Sequence, residues 1–180
     1  MSPVIEATVQ AATLSAVSNL LAQSIKSYSE SKPFVFDFTP VIHFAVFTIL
    51  STPPNFLWQL QLESWYPSQV PVEQKIEKEN TVVKTKLSKS NTIKKFATDQ
   101  LLGAPINTVL FLAFMGYMRG FTGDALKTYV SEEFWPLTSA GLKLWPAVSL
   151  MSFAAIPADK RVIFGSIIAL GWNIFLGLTL

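Results

Sequence analysis

The chain has no cysteine, a single histidine and only 14% charged residues among its 180. Without cysteine there is no disulfide framework, no thiol nucleophile and no cysteine metal site, and sulfur gives no reading of the redox compartment. His43 stands alone in an apolar run, reads as a satisfied or interfacial residue and offers no partner ligands, so no metal and no other cofactor is expected. No nucleophile with a base and no phosphate loop is found either, so an enzyme is not expected. With a formal charge of only +2 and basic residues that do not alternate with aromatics, nucleic acid is not an expected partner.

The N-terminal stretch also lacks what an address would need. Its first cation is Lys26, its first arginine is Arg119, and Glu6 occupies a region where mitochondrial presequences avoid acid. A cleavable Arg-rich presequence is not expected, and a secretory signal is disfavoured by the missing basic flank and by Gln10, Thr13, Ser15, Ser18, Asn19 and Gln23. The terminal Leu178-Thr179-Leu180 differs from the Ser-Lys-Leu address of peroxisomal matrix proteins.

What is present is apolar length. Soluble domains carry about 25% charge; here the charges are few and segregated, leaving uncharged runs at 7–25, 38–62, 100–118, 144–158 and 162–180. A bilayer takes about 20 helical residues to cross. Five such runs in so short a chain leave too little polar surface for a soluble fold. The expected fold is all-α, a single polytopic membrane domain over 1–180 with four or five transmembrane helices, some kinked at proline. Spans are expected near 7–25, 41–62, 97–118, 142–158 and 162–180, with a lysine-rich loop at 67–95.

Along the chain, the first segment sets small residues at helical spacing, Ala11 with Ser15, Ala12 with Ala16 and Ser18 with Ala22, and places the amides of Asn19 and Gln23 on one face. It reads as a polar helix inside the bundle. In the second, Pro53-Pro54 predicts a kink or two half-helices, and Trp58, Trp65 and Tyr66 suit a membrane interface, the lipid being left near Glu63. Residues 67–95 read as a solvated, partly disordered loop. The third segment starts near Phe96 and ends with the Gly116/Gly120 step. A short stretch around Glu132 to Trp135 leads to a fourth segment opening at Trp145-Pro146, where Lys143 can snorkel toward headgroups. Pro157 to Arg161 then turns the chain into the last. With five spans the 63–95 loop and Lys160-Arg161 share one side with nine cations against five on the other, so that side should face cytosol or matrix.

These motifs resemble a family of small peroxisomal and mitochondrial inner-membrane proteins whose namesakes are Mpv seventeen and the 22-kilodalton peroxisomal membrane protein. The likeness covers nearly the whole chain and is strongest in Trp145-Pro146, Phe153, Pro157, Arg161 and Trp172-Asn173. Upstream, Lys95, Asp99-Gln100 and Pro105 follow the family pattern, as do Gly116 with Gly120 and, more weakly, Gln23 and Pro53 with Trp58. Departures include Asn19 in place of the usual Asp, Phe56 and Gln59 in place of His and Tyr, and Ser149 and Ser152 in place of Gln and Asn.

The resemblance implies a pore or channel for small hydrophilic metabolites in an organelle membrane, the peroxisomal membrane or alternatively the mitochondrial inner membrane. The other reading is a scaffold that organises such membranes through its lysine-rich loop. A single bundle could need to form a homo-oligomer to enclose a wide path. Polar groups in hydrocarbon must face a cavity, water or each other. Asn19, Gln23, Asp99, Gln100, Asn107, Ser149, Ser152 and Asn173 are therefore candidate lining groups, with interhelical bonding of about 0.6 kcal/mol each as the alternative role. For Asp99 three roles stand open: pairing with Lys95, capping a helix start, or reaching Arg161 across the bundle. Pro105, Pro146 and Pro157 read as bends; Trp145 and Trp172 as anchors or packing.

Overall fold

Helix α1, Pro3–Ser29, starts at the Ser2 cap and runs antiparallel into α2, Phe38–Trp65, which is capped by Asp37. The computed structural model describes residues 2–75 and 81–179. Strands β1, Gln69–Lys75, and β2, Thr81–Leu87, then pair antiparallel with Gln69 opposite Leu87. Helix α3, Lys89–Thr98, continues through a widened π turn at Asp99–Gly103 into α4, Ala104–Met118. Helix α5 is Gly123–Gly141, α6 is Trp145–Ala155, and a 3₁₀ turn at Ala158–Lys160 leads to α7, Arg161–Thr179. Among the described residues, three helices are long and apolar enough to cross a membrane: Pro3–Ser29, Phe38–Trp65 and Lys89–Met118. The protein is a polytopic membrane helix bundle, with a two-stranded hairpin at one end.

Its core is narrow, because most large apolar side chains point outward. Ile5, Val9, Leu21, Ile42, Leu50, Leu101, Leu110 and Ile167 are all exposed, as expected of helices whose outer faces meet lipid rather than water. Helix α1 turns Ala7, Ala11, Ser15, Ser18 and Ala22 toward α2 and α7. These small residues let the backbones approach. The helix is thus two-faced rather than enclosed as the sequence suggested, since Ile5, Val9, Val17 and Leu21 remain on its outside. Phe44 and Phe47 meet Phe111 at ring separations of 6.0 and 5.2 Å, joining α2 to α4.

Several expectations are corrected. Residues 67–95 do not form one irregular loop: the β-branched run Thr81-Val82-Val83 suits a strand, and Ser88 caps α3, its Oγ accepting from the Asn91 amide at 3.3 Å. The third segment accordingly starts at Lys89, not near Phe96. Lys78 lies outside the described residues. Pro53-Pro54 does not split the second segment; α2 is uninterrupted, the fixed proline φ being compatible with helix and the loss limited to two backbone bonds. The stretch around Glu132 is part of a 19-residue helix. The fourth span shrinks to 11 residues, about 16 Å of helix against about 30 Å of hydrocarbon, so α6 does not cross on its own.

Proline and glycine shape α4 at both ends. Pro105 has no N–H to give, and at the turn before it the Ala104 amide reaches back five residues to the Asp99 carbonyl, widening the helix. At the other end Gly120 takes a left-handed φ of 89°. There the Phe121 amide bonds the Gly116 carbonyl at 3.0 Å and the Gly120 amide bonds Tyr117 at 2.9 Å, a Schellman termination.

Candidate functional site

The hairpin returns the chain so that the start of α3 lies beside the end of α2. The Ser88 amide donates to the Ser68 carbonyl at 2.9 Å, and Asn91 Nδ2 to the Pro67 carbonyl at 2.9 Å. Glu63, in the last turn of α2, thereby faces Lys95 of α3 and Arg161 at the start of α7. Its Oε2 accepts from Lys95 Nζ at 2.6 Å and from Arg161 Nη2 at 2.7 Å. Its Oε1 takes the Ser68 amide at 2.6 Å, and Ser68 Oγ also contacts Lys95 Nζ and Arg161 Nη2. Phe153 of α6 lies under both cations, its centroid 5.1 Å from the guanidinium carbon and 5.8 Å from the ammonium. The Lys95 side chain is fully buried and that of Arg161 is 2% exposed, while Glu63 keeps 28%.

A second polar group sits one turn into the bundle. The Asp99 carboxylate accepts from Trp58 Nε1 at 3.0 Å and from Ser149 Oγ at 3.2 Å, and Gln100 Nε2 reaches Ser149 Oγ at 3.3 Å. So α2, the π turn and α6 are joined through one carboxylate. Of the roles open to Asp99, side-chain pairing with Lys95 or Arg161 is not made, because Glu63 holds both cations. Gly103 fits where it does because a Cβ there would stand 2.8 Å from Trp58 Nε1 and 2.9 Å from Asp99 Oδ1.

Between these groups lies a cavity of about 400 Å³. Asp99, Gln100, Asn107, Ser149, Ser152 and Asn173 all line it, as do Trp58, Pro105, Trp145, Phe153, Arg161 and Trp172. Trp145 and Trp172 pack edge to face at 6.0 Å along its wall. Asn173 Nδ2 also donates to Ser18 Oγ at 3.3 Å. Asn19 and Gln23 lie elsewhere: Gln23 Nε2 donates to Asn19 Oδ1 at 2.9 Å and to the Asp37 carbonyl at 2.7 Å, while its Oε1 accepts the Asp37 amide at 2.9 Å. These two amides tie α1 to the start of α2. The Asp37 carboxyl is held below its usual range by the Thr39 amide, which donates to Oδ1 at 2.8 Å.

Sequence reasoning did not single out Glu63 or Ser68 as functional, nor Asn55, whose Nδ2 sits 3.5 Å from Asn107 Oδ1. A lone carboxylate just past an apolar run, with two unmatched cations elsewhere at the same end, was the available signal for Glu63. Among the described residues no cluster of three or more His, Asp or Glu side chains is placed to hold a metal ion.

Helix α5 lies along α4, and its last turn, with Leu137, Thr138 and Gly141, reaches the cavity wall. Gly116 allows the two helices to lie together, since a Cβ there would meet Leu126 Cδ1 at 2.6 Å and Tyr129 Cδ1 at 2.7 Å. Val109 and Ala113 of α4 share a groove with Val130, Phe134 and Trp135 of α5. Glu132 and Glu133 therefore stand level with the middle of α4, Glu132 on the exposed side.

Apolar outer faces, long helices and an interior that holds an ion-paired cluster beside a cavity lined in part by polar side chains define a multi-pass membrane protein. Residues 116–177 match the model of the Mpv17 / PMP22 family. Relatives match along almost all of the chain: an uncharacterised protein of Schizosaccharomyces pombe is 28% identical over 99% of this chain and 82% of its own. Peroxisomal membrane protein 2 of Bos taurus is 28% identical over 97% and 81%. Protein SYM1 of Gibberella zeae is 36% identical over 49% of each chain. No solved structure matches. The chain is thus similar to the Mpv17 / PMP22 family over residues 116–177, and to a peroxisomal membrane protein along almost all of its length.

Proposed function

We propose that the protein is a pore for small hydrophilic metabolites in the peroxisomal membrane, the mitochondrial inner membrane being the alternative. The observation that carries the reading is the cavity, in which six polar side chains from the π turn, α4, α6 and α7 converge in a bundle with apolar outer faces. Such groups are costly in hydrocarbon, and a water-filled path is one arrangement that satisfies them. The naming of one relative as a peroxisomal membrane protein supports the placement. No catalytic step belongs to this proposal, and its partners are lipid, small solutes and further copies of the chain. Purified protein in a planar bilayer, challenged with solutes of graded size, tests it: conductance should fall off with solute radius, and a membrane that stays silent at every protein load would sink the idea.

A homo-oligomer is part of the same proposal, for a physical reason. An acidic side chain at mid-membrane depth facing lipid would cost about 2.5 to 3.5 kcal/mol, and Glu132 is exposed at the level of the middle of α4. A second copy that sets polar groups or trapped water against α5 would keep that carboxylate out of hydrocarbon.

The scaffold reading has one observation in its favour, the hairpin of β1 and β2, which projects two strand edges from the end of the bundle. Removing residues 75–81 separates the two: a scaffold loses its partners, whereas a pore still conducts.

A further inference from the structure

Arg161 has more donors than the protein uses. Nε gives to the Ile156 carbonyl at 3.0 Å, and Nη2 serves Glu63 at 2.7 Å and Ser68 at 3.2 Å. Nη1 is buried and has no partner. An unmatched charged donor shut away from bulk water carries the full desolvation penalty of the group, so its retention calls for an acceptor. The residue is 4% exposed, and it lines the cavity. Lys95 and Arg161 share the single carboxylate of Glu63, and the Asp99 carboxylate in the same cavity is bonded to Trp58 and Ser149 rather than to either cation. The closest aromatic, Phe153, offers its face to the guanidinium but no lone pair.

We infer that Arg161 is the binding point in this cavity for a small oxyanion, a carboxylate or phosphate group of a solute, held by the free Nη1 donors. This deepens the pore reading and rests on it for the solute's passage, though not for the binding itself. Guanidinium suits oxyanions because its N–H groups are fixed in one plane and it never loses its proton. The amides of Gln100, Asn107 and Asn173 in the same cavity can bond the rest of the solute, and about 400 Å³ lies within the span of small-ligand sites. Asp99 lines the cavity too, with its carboxylate engaged by Trp58 and Ser149. It opposes a second negative charge and so favours solutes carrying one.

The test uses the full chain purified in detergent, with thermal stabilisation by inorganic phosphate and by acetate measured against chloride at equal ionic strength. Wild type should be stabilised saturably by at least one of the two oxyanions. Arg161→Lys keeps a cation for Glu63 but removes Nη1, and should weaken the apparent affinity at least tenfold. Asp99→Asn preserves acceptors for Trp58 and should tighten it severalfold, which decides the matter even if the lysine variant does not fold. Wild type responding to phosphate and acetate no more than to chloride overturns the inference, as does unchanged affinity in both variants or in the asparagine variant alone. Binding without conductance in the bilayer removes the pore and keeps the site; conductance without binding does the reverse.

Discussion

Glu63 and Arg161 stand 98 residues apart in the chain and meet at 2.7 Å, with Lys95 on the same carboxylate oxygen at 2.6 Å. One side chain thereby holds the ends of α2, α3 and α7 together. Replacing Glu63 by Gln leaves two buried cations sharing a neutral amide. Breaking a buried pair costs about 3 to 5 kcal/mol, and the water that reaches Glu63 lowers this, so a loss of about 2 to 4 kcal/mol is expected. Thermal unfolding in detergent should show it, and an unchanged midpoint would remove the cluster from any structural role.

Asp99→Asn separates structure from conduction. The asparagine carbonyl can still accept from Trp58, and its amide can donate to Ser149, so the bundle should keep its stability to within about 1 kcal/mol. If the cavity conducts, removal of its carboxylate should shift the reversal potential in a potassium chloride gradient toward anions. A variant with wild-type stability and wild-type reversal potential would strip Asp99 of both roles.

What the sequence made legible was local. Asn19 and Gln23 are four residues apart, helix geometry fixes their adjacency, and the amides do bond. The polar candidates at Gln100, Asn107, Ser149, Ser152 and Asn173 were visible as costly groups in apolar runs, and they converge on one cavity. Partner choice was not legible. Asp99 invited pairing with Lys95 because the two are one turn apart, yet Lys95 is claimed by Glu63, 32 residues away, through the fold-back at the hairpin. Likewise Pro105 announces a bend, but only the long-range contact of Trp58 with Asp99 explains what the widened turn is for. The α5 helix escaped because its charges masked a 19-residue helix packed on a glycine.

Two glycines give a steric prediction. Gly103→Ala drives a methyl to within 2.8 Å of the Trp58 ring nitrogen and 2.9 Å of Asp99, and should separate that bond. Overpacking costs about 1 to 3 kcal/mol. Gly116→Ala meets the Tyr129 ring at 2.7 Å and should loosen α5 from α4 by a similar amount. Tryptophan emission can tell them apart: the first should perturb Trp58 with α5 still docked, the second should expose residues of α5 to proteolysis. Unchanged melting for both would contradict the close approaches.

The turn between α1 and α2 is held from one side chain. Gln23 both donates to and accepts from the Asp37 backbone, at 2.7 and 2.9 Å, and donates to Asn19. Gln23→Glu keeps the acceptor, loses the donor and sets a carboxylate against the Asp37 carbonyl. A loss of about 1 to 3 kcal/mol follows from the unsatisfied contact. Gln23→Ala should cost less, since the freed backbone groups lie at an exposed turn that water reaches. Reversal of this order in thermal melts would place the turn's stability elsewhere.

The outer face of α5 supplies the test of assembly. Glu132 and Ser131 are exposed beside Val130 and Phe134, which pack level with the middle of α4. If that face met lipid, the carboxylate would stand unpaired in hydrocarbon, and the packing of Gly116 against Tyr129 fixes the helix too closely for it to turn away. The absence of any native cysteine makes single-cysteine probes clean. Ser131→Cys in native membranes should form a disulfide between two copies on mild oxidation, and should resist a bulky water-soluble maleimide when the copies are together. Free reaction with that maleimide, and no cross-link, would mean that water rather than a second copy covers the face. Glu132→Leu should then leave assembly untouched, whereas a true interface built around a buried acid should change its dissociation in detergent severalfold when the acid is removed.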